Sequence, residues 1–170
     1  MSVVTDWPAL HEHVIERFAA GWSDPHPHAW DDLLAEDVEL TQPLLRHGRG
    51  RALWHEEALR LLAFLPDLRG EVLSWAARKD IVFIDLRLSG TAGGARLSVR
   101  ACDQLTITTS GRIARRDSRF DPRPVMGTLM RHPSTWWPWW RSGIGPLTAR
   151  RALLTSRPGA VADRRSQELR

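Results

Sequence analysis

Residues 97–121 read LSVRACDQLTITTSGRIARRDSRFD, and apolar and polar side chains alternate along most of this stretch. Alternation with a period of two is typical of β-strands that bury one face. TSG at residues 109–111 is a turn sequence, so the stretch predicts two neighbouring antiparallel strands, 96–109 and 112–120. One face of each strand is then expected to form the core.

The first of these strands places a carboxyl group in an apolar row. Val99, Ala101, Leu105 and Ile107 share one face, and Asp103 completes it. Burial of a carboxyl group without a partner disfavours its charged form, which makes such a group a candidate proton donor or acceptor near neutral pH. An aspartate that is paired with an arginine for structural reasons alone produces the same pattern. The residues leave both interpretations of Asp103 open.

The second strand carries an arginine on the face that is expected to point inward. Arg116 shares this face with Ala114, Ser118 and Phe120, and the phenylalanine indicates burial. Arg116 either neutralises Asp103 in a closed ion pair or stays free to stabilise an anionic substrate or an enolate. The sequence does not choose between these two roles.

Upstream of this stretch, apolar spacings of three and four residues predict helices, and further alternating runs predict strands. Pro43 ends an early strand, and Pro66 ends the helix that precedes the other strands. Helices followed by a meander of strands are typical of an α+β fold. The predicted helices are 6–22, 29–35 and 51–65, and the other predicted strands are 38–42, 72–77 and 80–89.

The composition of the 170 residues is that of a globular protein, with 42% hydrophobic and 26% charged residues. The one cysteine, Cys102, excludes an internal disulfide, and no Cys/His spacing resembles a structural zinc site. The N-terminus has no secretion signal and no apolar run reaches ~18 residues, so we expect a cytoplasmic protein. The sequence lacks a phosphate-binding glycine loop, a dinucleotide-binding fingerprint and any known motif for reading nucleic acids. We therefore expect no cofactor, no metal ion and no nucleic-acid partner.

The seven histidines give weaker signals than the aspartate and the arginine. His47 and His55 flank Trp54, which is expected inside, and are the weaker active-site candidates. Four histidines are expected at the surface: His11, His13, His26 and His28.

The sequence changes character after residue 121, where prolines and tryptophans become frequent and acidic residues rare. We expect a domain over residues 1–121, a Trp- and Pro-rich extension over 122–155 that packs on it, and a mobile basic tail over 156–170. Contact of the extension with a membrane surface is the less favoured alternative. The extension includes Trp136, Trp137, Trp139 and Trp140 around Pro138. Met126, Leu129 and Met130 are expected to be neighbours on a helix and to lie near the mouth of a cavity in the domain.

Several local signatures occur along the chain in an order that resembles a known family. They are FAAGW at 18–22, WDDLLAEDVELTQP at 30–43, HGRG at 47–50, PDL at 66–68 and DQLTI with GRIARRDSRFDP at the end. Over residues 6–121 the chain resembles the SnoaL-like branch of the nuclear-transport-factor-2-like superfamily, which includes ketosteroid isomerases and limonene-epoxide hydrolases. The resemblance implies a cone-shaped α+β barrel, with a curved antiparallel sheet wrapped on three N-terminal helices, an apolar cavity inside and a homodimer.

The resemblance also implies roles for single residues. Asp103 stands where ketosteroid isomerases carry the protonated aspartic acid of their oxyanion hole, whereas Gln42 replaces their general base and Phe18 their tyrosine. Ser118 stands at the catalytic aspartate of the epoxide hydrolases, and Asp121 lies close to the aspartate of the cyclases.

The function expected from these observations is a small-molecule enzyme of the cyclase, isomerase or lyase type. It would act on a hydrophobic carbonyl-containing, polyketide-like or terpenoid-like substrate by acid–base catalysis. A non-catalytic protein that binds an apolar metabolite is the alternative. The expected catalytic residues are Asp103, Arg116, Gln42 and Asp121, and the expected substrate-binding residues are Phe18, Trp22, Leu40, Trp54, Leu86, Ala101, Leu105, Ser118 and Phe120.

Overall fold

The computed structural model of the protein describes residues 5–144. Those residues form an α+β fold in which a curved six-stranded sheet packs against helices, as expected. The predicted tail 156–170 and part of the predicted extension lie outside the described residues. The helices are α1 (Trp7–Ser23), α2 (Arg51–Phe64), α3 (Arg123–Arg131) and α4 (Trp136–Ser142), and the strands are β1 (Leu34–Thr41), β2 (Gly48–Arg49), β3 (Arg69–Arg78), β4 (Ile81–Ala92), β5 (Ala95–Ile107) and β6 (Ile113–Phe120).

The sheet is open, with the strand order β2-β1-β6-β5-β4-β3. Strands β3 to β6 form the predicted antiparallel meander. The expectation of an antiparallel sheet fails at one place, because β1 runs parallel to β6 and brings Leu40 beside Arg116. This pairing places the end of β1 directly beside the last strand.

A turn of two glycines connects the two longest strands, β4 and β5. Gly93 and Gly94 have φ angles of +52° and +83° and connect β4 to β5 directly, as in hairpin turns that need positive φ at both central residues. Strand β4 therefore continues to Ala92, beyond the predicted end at residue 89. The predicted inward row of β5 is confirmed, since Val99, Ala101, Asp103, Leu105 and Ile107 are all buried.

The predicted second helix, residues 29–35, is wrong. The segment forms successive turns, with hydrogen bonds such as Ala29 N to His26 O at 3.0 Å, and β1 begins at Leu34. Pro25 and Pro27 lack the N–H groups that would continue a helix from α1. Two helices therefore precede the meander instead of three.

Helix α1 begins at a side-chain cap and buries an aromatic face. Asp6 accepts a hydrogen bond from the backbone N–H of Ala9 at 3.2 Å. Gly21 allows Trp30 to approach, since a Cβ at this position would lie 2.3 Å from the indole nitrogen. His11, expected at the surface, is buried, and its Nε2 lies 2.6 Å from the carbonyl oxygen of Lys79 in the β3–β4 turn.

The C-terminal helices cover one end of the domain. Helix α3 buries Val125 and Leu129, whereas Met126 and Met130 are exposed, contrary to expectation. In α4 the ring of Trp139 packs on Phe64 of α2, with centroids 5.1 Å apart. Pro138 occupies the first turn of α4, where its missing N–H removes no helical hydrogen bond. Within residues 5–144 no helix has the length and apolar character needed to cross a membrane.

Candidate active site

An apolar cavity of about 70 Å³ lies between the sheet, α2 and the C-terminal helices. It exceeds the ~10–15 Å³ that one water molecule needs, so Trp22, Trp54 and Phe120 line this space without filling it. The polar residues of its wall are Gln42, Arg116 and Ser118. Its apolar wall includes Leu61 and Phe64 of α2, Leu88 of β4, Leu97 and Val99 of β5, Val125 of α3, Trp139 of α4 and Ile144.

Asp103 and Arg116 form a buried ion pair beside this cavity. Asp103 is fully buried and Arg116 is 5% exposed. The Nε and Nη2 atoms of Arg116 each lie 2.8 Å from Oδ2 of Asp103. The register explains the contact: Asp103 lies opposite Ser118 and Arg116 opposite Leu105, so the two charged residues are diagonal neighbours on the inward face. Of the two alternatives left open by the sequence, the described structure has the paired aspartate.

The guanidinium group of Arg116 also faces an amide and three aromatic rings. Its Nη1 donates to Oε1 of Gln42 at 3.2 Å. The Cζ atom lies 4.9 Å from the ring centroid of Trp54, 5.6 Å from that of Trp22 and 6.0 Å from that of Phe18. Aromatic faces attract cations, so these contacts stabilise the buried charge and fix the orientation of the arginine.

Several buried polar atoms of residues in and around this site have no hydrogen-bond partner. The unpaired donors are Nε2 of Gln42 and the indole Nε1 atoms of Trp22 and Trp54, and the unpaired acceptor is Oδ1 of Asp103. Buried polar groups are nearly always hydrogen-bonded. The three donors without a partner belong to residues that line the cavity next to a guanidinium group.

The structure brings together the central residues predicted from the sequence, but not all of them. Asp103, Arg116, Gln42 and Ser118 form the polar end described above. Asp121 does not belong to it, since its exposed carboxylate at the end of β6 bonds to Arg123. Five predicted substrate-binding residues are buried or packed in the core but do not line the cavity: Phe18, Leu40, Leu86, Ala101 and Leu105.

Sequence reasoning missed Glu57, a fully buried carboxylate on α2. Its Oε2 accepts the backbone N–H of Arg46 at 3.3 Å, and its Oε1 lies 3.4 Å from Nε of Arg60. Burial raises the pKa of Glu57, and the Arg46 hydrogen bond and the arginine charges only partly oppose this. Glu57 thereby ties α2 to the loop after β1, which contributes Leu44 and Leu45 to the cavity wall. Its place in a row of charged residues, EEALR, gave no signal of burial.

The sequence matches the model of the SnoaL-like domain over residues 15–116. No curated protein matches it at a significant level. Among solved structures, a candidate SnoaL-like polyketide cyclase from Jannaschia sp. CCS1 is 16% identical, with a TM-score of 0.66 over 78% of this chain and 100% of the other.

Two further structures are similar in fold. A protein with a ketosteroid isomerase-like fold from Catenulispora acidiphila is 18% identical, with a TM-score of 0.63 over 72% of this chain and 95% of the other. An LEH-like epoxide hydrolase from M. tuberculosis is 16% identical, with a TM-score of 0.60 over 72% and 91%. At these identities the likeness concerns the fold alone.

Proposed function

The chain belongs to the SnoaL-like family, and from this premise we propose that it is a small-molecule enzyme of the cyclase or isomerase type. The proposed substrate is hydrophobic and carries a carbonyl group. Its apolar part would lie against the wall of the cavity, and its carbonyl oxygen would lie at the polar end beside Arg116 and Gln42.

The unpaired donors at the polar end carry this proposal. A carbonyl oxygen accepts hydrogen bonds, and it accepts them more strongly as it becomes an enolate. Nε2 of Gln42 and the indole N–H groups lack an acceptor, and the guanidinium group of Arg116 supplies a positive charge in apolar surroundings. Donors held in place before the reaction stabilise developing negative charge without reorganisation.

The reaction we propose is removal of a proton from the carbon next to the carbonyl group. The C–H bond breaks, its electron pair forms the enolate, and the negative charge resides on the oxygen beside Arg116. The proposed proton acceptor is Asp103, whose Oδ1 has no hydrogen-bond donor in the structure. Asp103 lies behind Arg116 and does not line the cavity, so this transfer requires its carboxyl group to turn toward the substrate. Return of the proton to a different carbon gives isomerisation. Attack of the enolate carbon on a second carbonyl group forms a C–C bond and an alkoxide, which takes the proton back from Asp103, and this gives cyclisation.

Hydrogen–deuterium exchange tests the proposal. Hydrophobic ketones are incubated with the protein in D₂O, and deuterium uptake next to the carbonyl group is followed by NMR. We expect the protein to accelerate uptake, and we expect Gln42→Leu to reduce the acceleration by ~10²-fold or more, the scale of one lost oxyanion donor.

The control for this experiment is Asp121→Asn. Asp121 is exposed and lies outside the cavity, so its loss should leave exchange unchanged. Exchange that depends on Asp121 and not on Gln42 contradicts the proposed site. The absence of acceleration for every ketone that binds contradicts the proposed reaction.

One observation favours a second candidate, a binding protein for an apolar metabolite. Among the described residues that line the cavity, Arg116 is the one titratable group, and Asp103 reaches the site only through it. Retention of a ketone in native mass spectrometry without deuterium exchange is the result expected of a binding protein.

A further inference from the structure

A second cluster of chemically active side chains lies outside the cavity, where the turns after α1 meet α2. It consists of His28, Asp31 and His55, and one potential ligand atom from each lies within 4.8 Å of the other two. Nδ1 of His28 is 2.8 Å from Oδ2 of Asp31, and Nε2 of His55 is 2.6 Å from Oδ1 of the same carboxylate. Two imidazoles therefore face one carboxylate group.

The cluster is held by contacts on both sides. The two imidazole rings lie against each other, with centroids 4.3 Å apart. The backbone carbonyl oxygen of Asp31 accepts a hydrogen bond from Nη1 of Arg51 at 2.9 Å, and His55 lies on α2 one residue after Trp54. The side chains of Asp31 and His55 are 35% and 25% exposed, so both ligands are partly withdrawn from solvent.

The donor set fits a divalent transition-metal ion. Imidazole nitrogen and carboxylate oxygen are the usual ligands of Zn²⁺ besides thiolate, at ~2.0–2.2 Å. Two ligands at that distance from one ion lie about 3–3.5 Å apart in tetrahedral geometry, so the observed hydrogen-bonded contacts need to open by less than about 1 Å.

We propose that His28, Asp31 and His55 bind one Zn²⁺-like ion, with water as the fourth ligand. The ion would join the irregular segment between Asp24 and Leu33 to α2. That segment has two prolines and no helix or strand of its own. A metal ion that bridges it to α2 would therefore restrict the conformations of its backbone. The proposal departs from the sequence analysis, which predicted no metal ion. His28 and Asp31 are close in the chain, but the third ligand, His55, comes near them only in the folded protein.

Titration of the tag-free protein, after treatment with a chelator, tests the proposal. We expect one Zn²⁺ per chain by calorimetry, and a visible absorption band of four-coordinate cobalt when Co²⁺ replaces Zn²⁺. Binding to the folded state should raise the melting temperature, with the ratio of folded to unfolded protein increasing ~100-fold when free Zn²⁺ reaches 100 times Kd.

The variants His28→Gln and His55→Gln should each weaken binding by at least ~10-fold, since loss of a residue behind a metal ligand already weakens metal sites by ~10–100-fold. The matched controls are His26→Gln and His47→Gln, which alter exposed histidines outside the cluster. The proposal is overturned by affinity that does not respond to His28 and His55, by affinity that depends on a control histidine, or by binding that leaves the melting temperature unchanged.

Discussion

The ion pair of Asp103 and Arg116 is buried at the polar end of the cavity, where each charge depends on the other. Removal of two charges from water opposes folding, and their attraction roughly offsets that opposition. Such a pair contributes little net stability, but the loss of one partner leaves a buried charge without compensation. Gln42 and the aromatic rings stabilise the arginine in part, yet none of them carries a negative charge.

The first prediction concerns Asp103→Asn, which keeps the size of the side chain and removes its charge. We expect the free energy of unfolding to fall by ~3–5 kcal/mol, measured by chemical denaturation. Ketone exchange should fall by ~10²–10⁴-fold in the fraction that stays folded, the range typical of a lost general acid or base. A folded variant with full exchange activity contradicts the role of Asp103 in catalysis.

The double substitution Asp103→Val with Arg116→Met removes both charges together. Because apolar residues of similar volume often replace a buried ion pair without loss, we expect the double variant to be more stable than Asp103→Asn. It should still fail to accelerate ketone exchange. Exchange activity in this folded variant would rule out Arg116 as the group that stabilises the enolate.

A third prediction at the residue scale concerns the pH dependence of stability and Glu57. The raised pKa of Glu57 in the folded protein means that its contribution to stability is present below the unfolded-state pKa and is lost as pH rises through the folded-state pKa. Glu57→Gln does not ionise. The melting temperature of the variant minus that of the parent should therefore increase from about pH 4 to about pH 8. A difference that stays constant or decreases contradicts the raised pKa.

At the scale of elements, the β4–β5 turn makes one of the contacts between the sheet and the C-terminal segment, against the residues between α3 and α4. A Cβ on Gly93 would lie 2.2 Å from the carbonyl oxygen of Ser134, whereas a Cβ on Gly94 would meet nothing within 4 Å. Both glycines have positive φ, so the two alanine variants share a similar backbone strain of ~1 kcal/mol.

We expect Gly93→Ala to be the less stable variant, since overpacking adds ~1–3 kcal/mol to the strain. Thermal denaturation of the two variants measures this difference. Equal melting temperatures would show that the segment after β6 does not pack closely against Gly93.

The elements that the sequence predicts well are those in which apolar residues recur at a regular spacing. The inward row of β5 places Asp103 correctly because alternation assigns every side chain to a face. The helix predicted over residues 29–35 does not form. The backbone groups of this segment bond within successive turns, and β1 already begins at Leu34. The partner of Asp103 could not be predicted, since it depends on the register between β5 and β6 and not on either strand alone. The burial of Glu57 and the partners of His55 could not be predicted for a similar reason, since both side chains bond to segments that precede α2.

At the scale of the whole molecule, the residues after β6 close the cavity. Val125 and Leu129 are buried, and Trp139 and Ile144 contribute to the cavity wall with Val125. Deletion of residues 122–170 should therefore lower the melting temperature by several degrees, because it uncovers apolar surface of the sheet and α2. An unchanged melting temperature would indicate that the domain of residues 1–121 folds without help from the C-terminal helices.

The homodimer implied by the family resemblance also belongs to this scale and stays a prediction. Light scattering coupled to size-exclusion chromatography measures the mass of the particle against the 19.3 kDa of one chain. A single chain over a range of concentrations would contradict a dimer.

The aromatic lining of the cavity gives the protein an optical property that does not depend on any substrate. The sequence has nine tryptophans and no tyrosine, so its ultraviolet emission comes almost entirely from indole rings. Trp136, Trp137 and Trp140 are exposed, whereas Trp22 and Trp54 are buried beside the cavity. A water-soluble quencher such as iodide should extinguish the red part of the emission first. The remaining light comes from the buried rings, which include Trp30 and the two rings of the cavity wall, Trp22 and Trp54. A ligand in the cavity would touch the latter two, so a change in the unquenched emission reports occupancy without a label.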